Sequence, residues 1–302
     1  MKDFLSISSC DAKELLELLD LSDKLKKFCK KGKQDNCLAG KSLVMLFEKP
    51  SLRTRMSFQI AMTQLGGNAI YVKPEDIGGI GKREPIKDMA RVLDRYADGI
   101  MARTFAHETV IELAKFADIP VINALTDWSH PCQAMADIMT IREHFGKLEG
   151  IKIAYIGDGN NVARSLAFAC AKLGMEITVA SPKGYELDEK SIARTNEITA
   201  LTTVQTNNPR DAVKDTDVIY TDTWVSMGQE DEKQKRIADF QGFAVDGSLL
   251  ALAPDAKIMH CLPAYRGLEI TDEAMESENS IVFDQAENRL HFQRALLKKL
   301  LS

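Results

Sequence analysis

The chain has 302 residues, enough for two domains of ordinary size. Its 45% hydrophobic and 27% charged residues are typical of a folded globular protein and exclude the disordered and fibrous classes. The formal charge of −5 argues against a protein that coats nucleic acid or an anionic membrane surface. Because the sequence has no apolar run long enough to span a membrane and does not start like a signal peptide, we expect a cytoplasmic protein.

The six cysteines form no CxxC pair and no zinc-type spacing with histidine. Cys132 and Cys261 stand close to histidines in the sequence, an arrangement compatible with a metal ligand or a thiolate nucleophile. Most cysteines of this kind are ordinary buried thiols, so we predict no metal site.

Short β-rich apolar segments alternate with longer amphipathic segments along the whole chain, which is typical of parallel βαβ units. The predicted strands are Leu43–Phe47, Ala69–Val72, Gly99–Ala102, Pro120–Asn123, Lys152–Ile156, Glu176–Ala180, Asp217–Thr221, Lys257–Cys261 and Ser280–Phe283. The predicted helices are Asp11–Lys30, Arg53–Leu65, Ile86–Tyr96, Thr109–Phe116, Gln133–Phe145, Ala163–Leu173, Ser191–Leu201 and Ala286–Leu300. These elements predict two α/β halves of similar size that join within Phe145–Gly150.

Two segments look like nucleotide-binding motifs but lack essential features. Gly40-Lys41-Ser42 resembles the end of a P-loop, yet Asp35 stands where a glycine belongs and the triplet precedes a strand. The segment Gly157–Asn161 follows a strand and opens a helix, but Val162 occupies the position of the third glycine in a dinucleotide fingerprint. We therefore predict no nucleotide cofactor, although this turn still offers backbone N–H groups to an anion.

The strongest indication of an anion site is Ser51-Leu52-Arg53-Thr54-Arg55, which follows a strand and opens a helix. Ser51 can cap that helix, and Arg53, Thr54 and Arg55 add donors within one turn. The alternative is a capped helix whose basic residues are merely solvated. Arginines at a helix N-terminus oppose its dipole, a cost that a bound anion would reverse, so we favour a phosphate site.

Polar groups also follow four other predicted strands. Arg103, His130–Gln133 and His260–Pro263 stand at strand ends, where open α/β sheets bind ligands. After a further strand, Asp222 and Ser226 suit the ammonium and carboxylate groups of an α-amino acid. Each segment alone is compatible with an ordinary loop, but together they indicate a binding site.

As a set, these motifs resemble the aspartate/ornithine carbamoyltransferase family from Phe4 to Leu301. The matching segments follow the family order: Ser51–Arg55, Arg103, His130–Gln133, Gly157–Asn161, Asp222–Gly228, His260–Pro263 and Glu287–Arg289. The resemblance implies two doubly wound parallel-sheet domains joined by helices, with the C-terminal helix 286–301 packing back on the first domain. Residues 1–147 would bind carbamoyl phosphate and residues 148–302 ornithine, because the Ser-Met-Gly and His-Cys-Leu-Pro segments favour ornithine over aspartate.

The resemblance also implies roles for individual residues. The carbamoyl phosphate contacts would be Ser51, Leu52, Arg53, Thr54, Arg103, His130, Gln133, Cys261, Leu262 and Arg289. The ornithine contacts would be Asn161, Asp222, Ser226 and Met227. Thr54, Arg103 and His130 would polarise the carbonyl, and Cys261 would lie near the δ-amine without forming a covalent intermediate. The family further implies no cofactor and a homotrimer, or a multiple of trimers, with sites at subunit interfaces.

Two residues depart from the family pattern. Leu52 replaces a threonine or glycine of the phosphate motif, and Gly79 stands where many relatives carry a glutamine that reaches a neighbouring subunit.

Alternative interpretations are a sister transferase acting on putrescine or an N-acylated ornithine, and a non-catalytic protein that binds an amino acid or phosphate. The carboxylate-binding and ammonium-binding residues Asn161, Ser226 and Asp222 favour free ornithine, and the carbonyl-polarising residues favour an enzyme.

Overall fold

A computed structural model of the chain describes residues 1–32, 35–199, 203–226 and 228–302. The chain divides into two compact units, Met1–Met139 with Glu287–Ser302, and Thr140–Ala286. The division falls inside two helices, Pro131–Phe145 and Val282–Leu301. The sequence patterns place the join within Phe145–Gly150, because helical periodicity does not reveal where along a continuous helix the contacts change. The C-terminal helical residues belong to the first unit, as expected.

The first unit contains a four-stranded parallel sheet in the order β2-β1-β3-β4. Its strands are β1 (Ser42–Phe47), β2 (Asn68–Val72), β3 (Gly99–Arg103) and β4 (Val121–Leu125). The helices of this half are α1 (Ala12–Lys30), α2 (Leu52–Gln64), α3 (Pro74–Ile77), α4 (Ile86–Tyr96), α5 (His107–Phe116) and α6 (Pro131–Phe145). Strand β3 is buried along its whole length, whereas edge strand β2 is partly exposed, as expected for a sheet covered on both faces.

The second unit contains a five-stranded parallel sheet in the order β7-β6-β5-β8-β9. Its strands are β5 (Lys152–Ile156), β6 (Glu176–Ala180), β7 (Thr203–Thr206), β8 (Val218–Thr221) and β9 (Lys257–His260). The helices of this half are α7 (Asn161–Leu173), α8 (Glu189–Ile198), α9 (Pro209–Ala212), α10 (Lys233–Asp239), α11 (Gly247–Leu250), α12 (Asp272–Met275) and the start of α13 (Val282–Leu301), whose residues from Glu287 onward belong to the first unit. Its core packs Ile156 of β5, Ile219 of β8 and Ile258 of β9 against Trp224 and Phe240.

Each sheet has a point where the strand order reverses. In the first sheet β1 lies between β2 and β3, and in the second sheet β5 lies between β6 and β8. Loops that follow the two strands flanking such a point diverge to opposite faces and leave a crevice that binds ligands. The crevices predicted in this way lie after β1 and β3 in the first unit and after β5 and β8 in the second.

Most predicted helices and strands are confirmed to within a few residues. The predicted strand Ser280–Phe283 is wrong, because α13 begins at Val282 and Ser280 makes only an isolated bridge to Ile258. Strand β7 was not predicted, because it is a short edge strand with polar residues at three of its four positions. The predicted helix Ser191–Leu201 ends at Ile198 as α8, and its last residue lies outside the described residues.

The composition predicts no membrane-spanning segment and mostly buried cysteines. Among the described residues, no helix is both long enough and apolar enough to cross a membrane. None of the six cysteines, all of which lie in the described residues, forms a disulfide, and Cys10, Cys132 and Cys170 are buried. The three buried thiols agree with the interpretation of most cysteines as ordinary interior residues.

Candidate active site

The loop after β1 enters α2 through a side-chain cap, as the sequence predicts. Ser51 is the N-cap residue, and its Oγ accepts a hydrogen bond from the backbone N–H of Thr54 at 3.3 Å. Thr54 is buried, whereas the Leu52 side chain is 74% exposed at the first helical position. The replacement of a threonine or glycine by Leu52 therefore changes an exposed side chain and leaves the backbone N–H groups of the helix end in place.

The two arginines that flank Thr54 have different surroundings. Arg53 is half-buried, whereas Arg55 is exposed. The Arg55 guanidinium lies over the ring of Tyr71 at 4.0 Å, and its Nε donates to Gln59 at 3.1 Å. Arg55 is thus engaged along the helix, and Arg53 is the better candidate for an anion contact.

Four further predicted residues of the first unit are buried: Arg103, His130, Gln133 and Arg289. Arg103 is the last residue of β3 and pairs in register with Phe47 of β1, at the reversal point of the sheet. Arg289 donates from Nη1 to Gln133 Oε1 at 2.5 Å and from Nη2 to Thr54 Oγ1 at 3.3 Å. The C-terminal helical segment therefore joins the ends of α2 and α6 in one hydrogen-bonded group.

His130 immediately precedes α6 and is buried among cations. Burial lowers the pKa of His130 well below its usual range, and the charges of Arg289, Arg103, Arg53 and Lys49 lower this pKa further. The imidazole is therefore neutral at physiological pH. A neutral imidazole can donate one N–H to a carbonyl oxygen without bringing a further positive charge into the site.

The depressed pKa of His130 predicts how stability depends on pH. Between the folded pKa and the unfolded value of about 6.5, the unfolded chain binds the proton and the folded protein does not. We expect the free energy of unfolding to fall as the pH drops from 7.5 to 5.5. His130→Gln should make this fall shallower by at most about 1.4 kcal/mol per pH unit. Urea denaturation at several pH values would measure it.

Two other histidines, His107 and His291, also have pKa values lowered chiefly by burial, so they contribute to the parent slope in the same direction. A His130→Gln slope equal to that of the parent would contradict a buried neutral imidazole at this position.

Cys132, next to this group, does not have the properties of a nucleophile. Burial raises the pKa of its thiol to about 12, although the charge of Arg289 opposes this shift. Its Sγ donates to the backbone oxygen of Asn123 at 3.5 Å. The thiolate form is therefore scarce near neutral pH, and Cys132 is an interior residue.

In the second unit, a buried carboxylate lies directly after β8. Asp222 Oδ1 accepts hydrogen bonds from Cys261 Sγ at 2.9 Å and from the Thr223 backbone N–H at 2.8 Å. Its Oδ2 accepts from Asn160 Nδ2 at 3.0 Å. Loops after β5, β8 and β9 thus meet at Asp222, as predicted for the reversal point of this sheet.

The turn between β5 and α7 is shaped by a close backbone approach. A Cβ at Gly159 would lie only 2.3 Å from the backbone nitrogen of Leu187, so this position requires glycine for packing. Asn160 caps α7 by accepting from the Val162 and Ala163 N–H groups, and the predicted ornithine contact Asn161 is the first helical residue. Asn160 was not predicted as a site residue, although it orients both the helix end and Asp222.

The segment after β9 is held by a buried histidine. His260 Nδ1 accepts from the Leu262 backbone N–H at 2.8 Å, and His260 Nε2 lies 3.1 Å from Glu269 Oε1. These contacts assign the ring proton to Nε2 and fix the backbone beside Cys261. Asp222, His260 and Cys261 each offer one possible metal-ligand atom, all within 4.8 Å of one another, but each group already has a hydrogen-bond partner in the protein.

The loop that carries Ser226 is anchored by Arg236, which was not predicted as a site residue. Arg236 Nη1 donates to Asp158 Oδ2 at 2.8 Å and to the Trp224 backbone oxygen at 3.0 Å. Ser226 is half-buried, and its N–H donates to Gln229 Oε1. Met227, also predicted as an ornithine contact, lies outside the described residues.

Family models match both halves of the chain. The carbamoyl-P binding domain of aspartate/ornithine carbamoyltransferase matches residues 2–143, and the Asp/Orn binding domain matches residues 149–300. The chain belongs to the aspartate/ornithine carbamoyltransferase family. Thr54, Arg103, His130 and Gln133 lie within the carbamoyl-P binding match. Arg289 and the group around Asp222 lie within the Asp/Orn binding match.

Full-length members of this family are close in sequence and structure. An ornithine carbamoyltransferase of Methanocorpusculum labreanum is 51% identical, covering 100% of this chain and 98% of the relative. One from Methanosarcina mazei is 50% identical, covering 99% of each chain. The structure of the ornithine carbamoyltransferase from Pyrococcus furiosus is 49% identical with a TM-score of 0.96, covering 99% of this chain and 97% of that one.

Proposed function

We propose that the protein transfers the carbamoyl group of carbamoyl phosphate to the δ-amine of L-ornithine, giving L-citrulline and phosphate. The observation that carries the choice of amine is the buried Asp222 carboxylate at the reversal point of the second sheet. A buried carboxylate favours a cationic group and repels the side-chain carboxylate of an acidic amino acid. Ornithine brings an α-ammonium for Asp222, and its α-carboxylate is assigned to Asn161, Ser226 and Met227.

In the first half-site, the proposed phosphate contacts are Ser51, Leu52, Arg53 and Thr54, at the N-terminus of α2. The N–H groups of a helix end and a nearby guanidinium suit a dianion. Arg103, His130 and Thr54 are assigned to the carbonyl oxygen, and Gln133 to the carbamoyl NH2. Arg289 completes the proposed carbamoyl phosphate contacts of the first unit. The contacts assigned to Cys261 and the Leu262 backbone rest on the family resemblance.

The proposed reaction is direct attack by the neutral δ-amine on the carbonyl carbon. A C–N bond forms, negative charge develops on the carbonyl oxygen, and the C–O bond to phosphate then breaks. Donors aimed at that oxygen are typically worth about 3 kcal/mol each in the transition state. The departing phosphate takes the proton of the attacking nitrogen, so the scheme uses no protein base and no covalent intermediate with Cys261.

An assay with four amines tests this proposal. Purified protein is supplied with carbamoyl phosphate and with ornithine, putrescine, N-acetylornithine or aspartate, and the carbamoylated product and phosphate are measured. We expect efficient product formation with ornithine alone. Product with none of the amines would refute the enzyme, and product with putrescine or N-acetylornithine alone would refute the substrate.

The proposal includes a cytoplasmic homotrimer, or a multiple of trimers, with sites at subunit interfaces. Support comes from α2, which buries Phe58, Ala61 and Met62 but exposes a second apolar stripe of Leu52, Met56 and Ile60. The three stripe residues are spaced four apart, so they share one helix face. An exposed apolar face of this kind is typical of a protein–protein contact.

This stripe predicts the effect of two charges on assembly. Met56→Glu combined with Ile60→Glu should convert the assembly to monomers, because burying two carboxylates at a subunit contact is unfavourable. Sedimentation velocity would measure the mass. Val204→Glu, which replaces an exposed apolar residue of β7, is the control and should leave the assembly unchanged. A trimer that persists with both charges would remove α2 from the interface, and a monomeric parent would refute the trimer.

A further inference from the structure

Asp137 lies one helical turn after Gln133 on α6 and has no solvent exposure. Gln133 Nε2 donates to Asp137 Oδ1 at 2.8 Å, while Gln133 Oε1 accepts from Arg289 at 2.5 Å. A carboxylate accepts hydrogen bonds and a guanidinium only donates them. The two contacts therefore select one orientation of the Gln133 amide, with its oxygen on the Arg289 side.

We propose that Asp137 is a positioning residue that makes the protein specific for a carbamoyl donor over an acetyl donor. The inference rests on the proposed function, in which Gln133 contacts the carbamoyl group. An amide oxygen accepts two hydrogen bonds, and Arg289 supplies one of them. The other suits the NH2 of a carbamoyl group, whereas the methyl of an acetyl group has no N–H to donate.

The opposite orientation of the amide would reverse this preference. Gln133 would then present its NH2 to the NH2 of carbamoyl phosphate, leaving two donors facing each other in a buried site. Arg289 favours the observed orientation as well, but it is itself assigned to the substrate. Asp137 bonds the NH2 end of the amide, on the side away from Arg289, so its effect on the donor acts through Gln133.

Acetyl phosphate is the probe that tests whether the site distinguishes a carbamoyl donor from an acetyl donor. It has the same phosphate and carbonyl as carbamoyl phosphate, but a methyl group replaces the NH2. With ornithine it would form a C–N bond and break the C–O bond to phosphate, giving N-δ-acetylornithine, and phosphate would carry away the amine proton. The measured quantity is the ratio of kcat/KM for carbamoyl phosphate to kcat/KM for acetyl phosphate.

The first variant is Asp137→Asn, which keeps the shape of the side chain but no longer dictates which end of Gln133 it faces. We expect the ratio to fall about tenfold, mainly through carbamoyl phosphate, as for the loss of one buried hydrogen bond. The control is Asp98→Asn, which alters a carboxylate bonded to Lys41 and to the N–H of Ser42, the first residue of β1, and should keep the parent ratio.

The second variant combines Gln133→Glu with Asp137→Asn and conserves the total charge. The introduced glutamate presents only acceptors, and the introduced asparagine can donate to it, so the ratio should return towards that of the parent. It also serves if Asp137→Asn alone does not fold. An unchanged ratio in folded Asp137→Asn, or a folded double variant with a ratio no better than a tenth of the parent's, would overturn the inference. A parent that makes no citrulline would instead refute the proposed function.

Discussion

Replacing Arg103 by glutamine is expected to lower kcat for citrulline formation about a hundredfold to a thousandfold, the typical loss for one donor to a developing oxyanion. Arg103 is buried at the end of β3, and its backbone oxygen accepts from the Glu48 N–H at 2.8 Å. The backbone from which this side chain projects is therefore fixed by the sheet. Glutamine keeps a hydrogen-bond donor but removes the positive charge that stabilises the carbonyl oxygen in the transition state.

Steady-state rates at saturating ornithine and carbamoyl phosphate would measure this loss, and thermal unfolding would confirm that the variant is folded. A matched control is Arg95→Gln on α4, where an exposed arginine donates to the backbone oxygen of Arg91. The control should retain the parent rate. A loss below threefold at Arg103, or an equal loss in the control, would contradict the assignment of Arg103 to the carbonyl oxygen.

The second large effect is expected from Asp222→Asn, which should lower kcat/KM for ornithine about a hundredfold. The substitution keeps the size of the side chain but removes the charge that pairs with the α-ammonium of ornithine. Breaking one buried charge pair typically costs about 2–5 kcal/mol. Carbamoyl phosphate binding, measured by calorimetry without ornithine, should change much less than ornithine binding, because most of its proposed contacts lie in the first unit, although Cys261 bonds Asp222.

Asp246→Asn provides the matched control in the second unit. Asp246 caps α11 by accepting from the Leu249 N–H, and asparagine caps a helix as well as aspartate does. This variant should keep the parent kcat/KM. If Asp222→Asn weakened carbamoyl phosphate as much as ornithine, or left ornithine unaffected, the pairing with the α-ammonium would be wrong.

The features that were predicted from the sequence depend on residues that are close to one another in the chain. The buried strand β3 and the cap at Ser51 follow from an apolar run and from a serine before an amphipathic segment. Arg103 and His130 were identified because strand ends are recognisable in a βαβ pattern. The family resemblance then supplied roles that no single motif carries.

The features that the sequence did not reveal depend on distant contacts. Arg236 stands in the charged segment Gln229–Arg236, a pattern that is typical of a solvated surface. It is nevertheless buried and bonded to Asp158. Asn160 bonds Asp222, which is 62 positions further along the chain. Partners brought together only by folding leave no periodicity in the sequence.

The contact between Arg289 and the pair Thr54 and Gln133 has a consequence for biosynthesis. Strands β1 to β4 leave the ribosome long before residues 287–302, which belong to the same unit. A nascent chain can therefore form its first sheet while the arginine that orders the carbamoyl phosphate residues is still untranslated. The carbamoyl phosphate half-site is completed only by the last residues of the chain. A truncated product would therefore keep the strands of the first sheet but lack Arg289 and its hydrogen bonds to Gln133 and Thr54.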